Sequence, residues 1–467
     1  MPVNSFENYY MSWKPILKRG GKPLYTELAE QMEEDIRAGI LSPGTKLPPQ
    51  RELADYLDIN LSTVTRAFKI CSKKGLITAA TGNGTYVSSD VIYDNNMLIL
   101  NSAEDKIIEM GAILPNIALN KPVTEAIRKI LAEGHEEYLM QYGEINGTRW
   151  QKTMGMQWLQ KTGVTVDDPS QILIASGGQN AILAVLAGNF VSGDRVGCDE
   201  ITYPGLKSAA KMLGIILVPI AKYTRESITA AVKNNNIKAL YVIPDYHNPT
   251  TRVLPLETRQ LIAEQAKEHG LLIMEDSINS LLGTHHLPQL KQLAPENTIY
   301  ISSLSKTVSP GLRIAYVAVP LKWKKDTSVA LYNCNIVISP LMLQAASNLI
   351  STGEADRIVE ARRGQTRQRN QLVNEYLGNY QMEGDEDGPF RWLTLPAQFD
   401  AHVFEIAART AGVQVYASDR FMVGKEVCEN AIRISVVSEQ NDIYFVRGLQ
   451  ILARMLKEER PEECAFL

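Results

Sequence analysis

The sequence predicts an α/β protein in which a small head of three helices and a β-hairpin precedes a large open-sheet domain. Three observations carry this reading. Apolar residues recur at helical spacing over residues 25–74 and then give way to a hairpin pattern. A polar stretch with weak periodicity follows, over residues 88–106. Beyond it, short apolar runs alternate with helical segments to about residue 320, the pattern of a largely parallel sheet.

In the head, Leu28, Met32, Ile36 and Ile40 recur every four residues and predict a helix over Tyr25–Ile40. Gly39 and the Ser42-Pro43-Gly44 turn end it. Gln50–Leu57 reads as a second short helix. Ser62–Lys74 reads as a third, with Val64, Ala67, Phe68 and Cys71 on one face, Ser62 as its N-cap and Gly75 as its stop. Leu76-Ile77-Thr78 and Thr85-Tyr86-Val87 flank Gly82-Asn83-Gly84, a hairpin signal. In the large domain the expected strands are Ile172–Ala175, Arg195–Cys198, Ala239–Ile243, Leu271–Met274, Thr298–Ser302 and Arg313–Val319. Met97–Leu100 reads as a short docked strand within the polar stretch. One long helix, Ala345–Leu377, leads into a smaller α/β segment. The expected domains are therefore 20–88, a linker at 89–107, and 108–467, the last divided into a large part (about 115–340) and a small part (about 341–467).

A chain of 467 residues exceeds one ordinary domain, and 45% hydrophobic residues suffice for a large core. A net charge of −4 excludes a general polycation, so any DNA affinity has to be local. The five cysteines are scattered without a CxxC pair and predict reduced thiols. The six histidines form no metal motif; the adjacent His285 and His286 read as a loop pair, and no metal is expected. Asn4, Glu7 and Lys14 interrupt any apolar leader, and no run is long enough to cross a bilayer. The expectation is a cytoplasmic protein without a membrane partner.

The head carries the first chemical signal. Ser62, Thr63, Thr65, Arg66 and Lys69 form a polar, basic face on the third helix, and no Asp or Glu occurs between Asp58 and Asp90. Such a stretch suits phosphate contacts on double-stranded DNA, with the second helix ahead of a reading helix and the glycine-tipped hairpin along a groove. An ordinary three-helix unit with a solvated basic face fits the same spacing. The motifs then add a resemblance. Leu24-Tyr25, Gly39-Ile40-Leu41, Pro43 to Pro48, Arg51-Glu52-Leu53-Ala54, Ser62-Thr63-Val64 and Gly82 to Val87 resemble the GntR-type winged helix-turn-helix. That resemblance implies DNA contacts by Arg51, Ser62, Thr63 and Thr65, with Arg66, Lys69 and Gly84 nearby. Leu61 stands where many members carry arginine, which leaves the operator preference open.

The second signal lies at successive strand ends. Ser176-Gly177-Gly178-Gln179 opens a helix and suits a phosphate. Tyr203 can stack on a ring, Asn248-Pro249 offers a loop amide, Glu275-Asp276 a carboxylate, and Ser303-Leu304-Ser305-Lys306 an amine ahead of Arg313. Each alone has a plain alternative: a tight turn, a helix cap, a solvated lysine. Together they are what pyridoxal 5′-phosphate (PLP) needs: a lysine for its aldehyde, a carboxylate for its ring nitrogen, a cradle for its phosphate. Residues from about 108 to 455 resemble fold-type I aminotransferases, above all in Ser303 to Arg313. The resemblance implies Lys306 as the catalytic anchor, Ser303, Ser305, Arg313, Gly178 and Gln179 around the phosphate, and Asp276 on the ring nitrogen. It further implies Asn248 and Asn279 near the ring oxygen, Tyr142 reaching the phosphate of a second subunit, and Arg433 on an effector carboxylate. Two positions depart from the family: Thr251 replaces a glycine, and Asn279 a tyrosine.

Joined, the two halves resemble the MocR subfamily of GntR-type regulators: a winged helix-turn-helix ahead of fold-type I PLP-dependent aminotransferase-like large and small domains. This implies a PLP-dependent transcriptional regulator that binds an operator, senses PLP or an amino acid or amine effector, and forms a head-to-tail homodimer. The alternatives are an active aminotransferase with an appended head, and a repressor whose large domain only dimerises. Thr251 and Asn279 argue against efficient turnover, while Lys306 with Arg313 argues against loss of the cofactor.

Overall fold

The computed structural model describes residues 11–17, 21–37, 40–41, 45–74, 76–80, 84–87, 107–134, 136–284, 287–424 and 429–457. Gly39, the Ser42-Pro43-Gly44 turn, Gly75, Gly82-Asn83, the 88–106 stretch with its expected strand, and His285-His286 lie outside them. The chain divides into two compact units, Met1–Lys106 and Ile107–Leu467.

In the first unit, α1 (Leu24–Arg37), α2 (Gln50–Leu57) and α3 (Leu61–Lys73) are followed by an antiparallel hairpin of β1 (Ile77–Ala80) and β2 (Gly84–Val87). The apolar stripes close on one another: Leu28, Met32 and Ile36 meet Leu53, Ala54, Val64, Ala67, Phe68 and Cys71. Trp13 joins this core, and its indole donates to Asp35 Oδ2 at 2.6 Å, which satisfies a buried carboxylate. The segment before α2 extends the hairpin edge, with Leu47 N–H bonded to Thr85 O (2.8 Å) and Val87 N–H to Thr45 O (2.9 Å). One expectation is corrected. The N-cap of α3 is Asn60, whose Oδ1 accepts from Ser62 N–H at 2.9 Å. Ser62 thereby sits inside the first turn with its side chain left for solvent.

The second unit is built on a seven-stranded sheet. Its strands are β4 (Ile172–Ala175), β5 (Arg195–Asp199), β6 (Ile216–Ile220), β7 (Ile237–Val242), β8 (Leu272–Asp276), β9 (Thr298–Ser303) and β10 (Ala315–Ala318), in the order β4-β10-β9-β8-β7-β5-β6. Only β10 runs antiparallel to its neighbours. Its first residue, Ala315, lies opposite both Ala175 and Ser303. The entry to β10 is therefore beside the carboxyl ends of β4 and β9, which carries Arg313 to the loops that follow them. Helices cover both faces and bury three apolar clusters, one around Leu186, Tyr241 and Ile301, one around Trp158, Tyr300 and Tyr316, and one around Ile228, Leu240 and Ile262.

The edge strand β6 was not anticipated from the sequence: Pro219 and the exposed Ile216 disguise it, and both are tolerated at an edge. The single long helix expected over 345–377 is two helices, Pro340–Ser351 and Glu354–Leu377. Gly353, at φ 75°, turns the chain between them. The smaller sheet contains β11 (Met382–Glu383), β12 (Phe390–Thr394), β14 (Tyr416–Ala417) and β15 (Ala431–Ser435) in the order β11-β12-β15-β14. Beside it, β3 (Ile108–Glu109) pairs in parallel with β13 (Val413–Gln414). Ile108 and Met110 lie in the small-domain core with Phe404, Ile434 and Phe445.

Candidate cofactor site and nucleic-acid interface

β9 ends at Ser303, whose Oγ accepts from Ser305 N–H at 3.2 Å and caps the one-turn helix Leu304–Thr307. That turn points Lys306 back over the sheet. Its Nζ donates to Ile113 O at 2.5 Å. Burial, and then the positive charges of Arg433 and Arg313, push its amine down to about 8. An amine so placed has a far larger neutral fraction near physiological pH than an ordinary lysine, and only the neutral form attacks an aldehyde.

Asp276 closes β8 and is buried. Its Oδ2 accepts from Tyr241 OH at 2.6 Å and its Oδ1 from Ile278 N–H at 3.3 Å. Burial pushes this carboxyl up to about 6, with the hydrogen bonds acting in the other direction. A buried carboxylate without a cation partner is costly, and a protonated ring nitrogen offsets that cost. Tyr203 stands at the head of helix Pro204–Leu213. Its hydroxyl is pushed up to about 12, by burial and next by the Asp276 charge, against Arg313 and Arg433. These four side chains therefore lie near enough to feel one another's charge.

After β4 the chain turns at Gly177 (φ 91°) into helix Gly178–Asn189. A Cβ at Gly177 would collide with the Arg313 guanidinium, and one at Gly178 with Ile278. Arg313 reaches Ser305 Oγ (3.2 Å) and Ser176 O (3.0 Å), joining the β9 and β4 loops. Ser303 Oγ lies 3.1 Å from Ser305 Oγ. Gln179 donates to Gly205 O at 2.8 Å, while its buried Oε1 has no hydrogen-bond partner. A guanidinium, hydroxyls and first-turn helix amides around a bare glycine surface fit a phosphate dianion.

On the opposite side, Arg433 of β15 is buried among Phe390, Tyr416 and Phe421, its guanidinium carbon 4.8–5.4 Å from the three ring centroids. It donates through Nη1 to Asn248 Oδ1 and through Nη2 to Gly111 O at 2.6 Å, while Nε has no hydrogen-bond partner. Burial pushes it down to about 10. Asn279 is buried, and its amide donates to Tyr246 O at 3.1 Å, so this donor serves the backbone of the Asn248 loop. Tyr142 is the outlier, 80% exposed on this chain. Sequence reasoning missed Tyr241, which reaches Asp276 from the neighbouring strand, and the Gly111–Ile113 carbonyls. Neither carries a local motif. Among the described residues no group of His, Cys, Asp and Glu could hold a metal ion.

On the head, Arg51, Ser62, Thr65, Arg66 and Lys69 are exposed and Thr63 is half-buried. Thr65 Oγ1 donates to Gln50 Oε1 at 2.9 Å, and Arg66 lies 5.9 Å from the Tyr25 ring centroid. Gly84, at φ 111°, is exposed beside the Lys46 side chain. Lys74, just past α3, is paired with Glu33 at 2.5 Å. Turning α3 so that its apolar stripe is buried brings the last turn to an acid on α1.

A winged helical head and a cleft with these groups define a DNA-binding protein with a PLP-type effector domain. Comparison with known families agrees. Residues 24–87 match the bacterial regulatory proteins of the gntR family, and residues 108–449 match class I and II aminotransferases. The chain is 46% identical to the uncharacterized HTH-type transcriptional regulator YdeF of Bacillus subtilis (strain 168), over 98% of this chain and 100% of that one. It is 24% identical to the HTH-type pyridoxine biosynthesis transcriptional regulator PdxR of Corynebacterium glutamicum, over 85% and 89% respectively. An archaeal alanine:glyoxylate aminotransferase shares the fold, with a TM-score of 0.70 and 22% identity, over 76% of this chain and 92% of that one. The chain belongs to the MocR subfamily, in which a gntR-family head is fused to a class I and II aminotransferase domain. The cofactor of that domain is pyridoxal 5′-phosphate, and the groups described above fit it.

Proposed function

We propose that this protein regulates transcription by binding an operator through α2, α3 and the hairpin, and by holding PLP at Lys306 to read an amino acid or amine. The observation that carries this is the depressed amine of Lys306 together with the buried Asp276 carboxylate, which has no cation partner, and the Arg313 cradle, on a chain that also carries a gntR-family head. When bound, PLP supplies an aldehyde and an electron-withdrawing ring. The protein's own groups do the rest. Lys306 offers a neutral amine, and Asp276 holds a proton on the ring nitrogen. Arg313, Ser303, Ser305, Gly178 and Gln179 hold the phosphate. Tyr203 covers the ring, and Asn248 and Asn279 set the loop at its edge. Arg433 exchanges Asn248 for an effector carboxylate. Arg51, Ser62, Thr63, Thr65, Arg66, Lys69 and Gly84 face the DNA. Operators are chromosomal, so the protein works in the cytoplasm; no helix among the described residues is long and apolar enough to cross a membrane.

The working unit in this reading is a head-to-tail homodimer. Tyr138, Met140, Tyr142 and Ile145 are 74%, 66%, 80% and 55% exposed, an apolar run that a second copy would cover. Tyr142 then serves that copy's phosphate. Turnover as an aminotransferase is the second reading, favoured by the convergence of Lys306, Asp276, Asn248 and Arg433. Two assays decide. Protein mixed with PLP gains the visible absorbance of a lysine-bound cofactor, and Lys306→Ala abolishes it; an unchanged spectrum in the variant defeats the cofactor assignment. Incubation with amino acids and 2-oxoglutarate gives at most one oxo acid per site, whereas steady production establishes the enzyme.

A further inference from the structure

The main chain from Met110 to Leu114 is held by the same two side chains that the cofactor and an effector would engage. Gly111 O accepts from Arg433 Nη2 at 2.6 Å, and Ile113 O from Lys306 Nζ at 2.5 Å. Between them, Ala112 O accepts from Ser438 Oγ, which also receives Leu114 N–H at 3.4 Å and lies 2.6 Å from Ser435 Oγ. Glu109 Oε1 accepts from the amides of Gly111 and Ala112, both at 2.8 Å. On its N-terminal side the segment is anchored to the small domain: Ile108 N–H bonds Gly412 O, Met110 N–H bonds Gln414 O, and Ser435 N–H bonds Met110 O. Gly111 lets this strand lie flat on the Tyr416 ring, 2.7 Å from where a Cβ would stand. The segment is a strap whose successive carbonyls are tied to Arg433, Ser438 and Lys306. Four residues before Gly111, at Ile107, the second unit begins, and the chain beyond it leads to the head.

We propose that this strap reports the occupancy of the cofactor site to the head, with Ser438 as the positioning residue that keeps it in place. The inference rests on the PLP reading above. When the Lys306 amine condenses with an aldehyde, two amine hydrogens and the carbonyl oxygen leave as water. The nitrogen becomes part of a C=N bond and gives up its donation to Ile113 O. An effector carboxylate on Arg433 competes in the same way with Gly111 O. Each event leaves one carbonyl of the strap unpaired, buried at Gly111 and partly buried at Ile113, and the lost hydrogen bond favours a new position of the segment. Because the strap continues into the connection to the head, the two site states differ in what they demand of that connection, which is the differential free energy that regulation requires. Ser438 does not touch the amine or the guanidinium, so it tests the strap without altering either.

The full-length protein is followed by hydrogen–deuterium exchange at 107–116, with and without PLP, while absorbance records cofactor attachment in the same samples. Attachment is expected to speed exchange at Met110–Leu114 about threefold or more. Ser438→Ala is expected to speed it without PLP, to keep the absorbance band, and to shrink the effect of PLP on affinity for the DNA upstream of its own gene about fivefold. A band with unchanged exchange sinks the strap and leaves the cofactor reading standing. An absent band defeats both. A full PLP effect on DNA affinity in Ser438→Ala removes Ser438 from the device.

Discussion

The two functional surfaces of this molecule are built in opposite ways. The head presents Arg51, Ser62, Thr65, Arg66 and Lys69 to solvent, with few internal ties. The cofactor cleft buries Asp276, Asn248 and Arg433 and ties them to neighbours by side-chain hydrogen bonds, leaving Arg433 Nε and Gln179 Oε1 without a partner. A DNA surface acts by many weak, screened contacts, so its side chains can remain exposed and separable. A cofactor site acts by a few strong ones in low dielectric, so its residues depend on one another.

That contrast can be broken or sharpened by experiment. The largest effect concerns the head's own core. Trp13→Ala removes a buried ring and leaves Asp35 without its indole donor, and should lower head stability by about 3–5 kcal/mol in denaturant titrations. PLP absorbance should persist, and its loss would show the units to be energetically inseparable. Next comes pH. With the Lys306 amine at about 8, the rate of PLP capture should rise about fiftyfold between pH 6 and 8 and level after about a further twofold, as stopped-flow absorbance can follow. An ordinary lysine would keep gaining to about pH 10.4. The stability signs oppose one another. The lowered lysine costs stability as pH falls through about 8, and the raised Asp276 costs it as pH rises through about 6 in the cofactor-free protein. On the head, Arg66→Ala should weaken DNA binding across sequences and shallow the salt dependence by about 0.9 in log–log slope, read by fluorescence anisotropy. Smallest is Asn60→Ala, which loses the cap of α3 and about 1 kcal/mol in head unfolding.

Much of both surfaces was legible because their signals are local. The α3 stripe, the β4 loop and the Ser303–Arg313 stretch each lie within a dozen residues, and the helix and strand periods place them. What escaped depended on distant partners. Asn60 and Ser62 are equally good capping residues on paper, and only the start of α3 at Leu61 chooses between them. Tyr241 is one of many apolar-looking residues in β7 until β8 pairs beside it and brings Asp276 within 2.6 Å. Thr352-Gly353 is a soft interruption in a long helical pattern, and tertiary packing turns it into a corner.

Thr251 occupies the place of the family's glycine, and its backbone sits at φ 62°, where a β-branched residue is strained by about 1–2 kcal/mol. The loop is held there by its own ties, Thr251 N–H to His247 O at 2.6 Å and His247 Nδ1 to Thr250 Oγ1 at 2.8 Å. This loop presents Asn248 to Arg433. The strain at Thr251 is thus offset by local hydrogen bonds, and Asn248 is held where Arg433 can reach it.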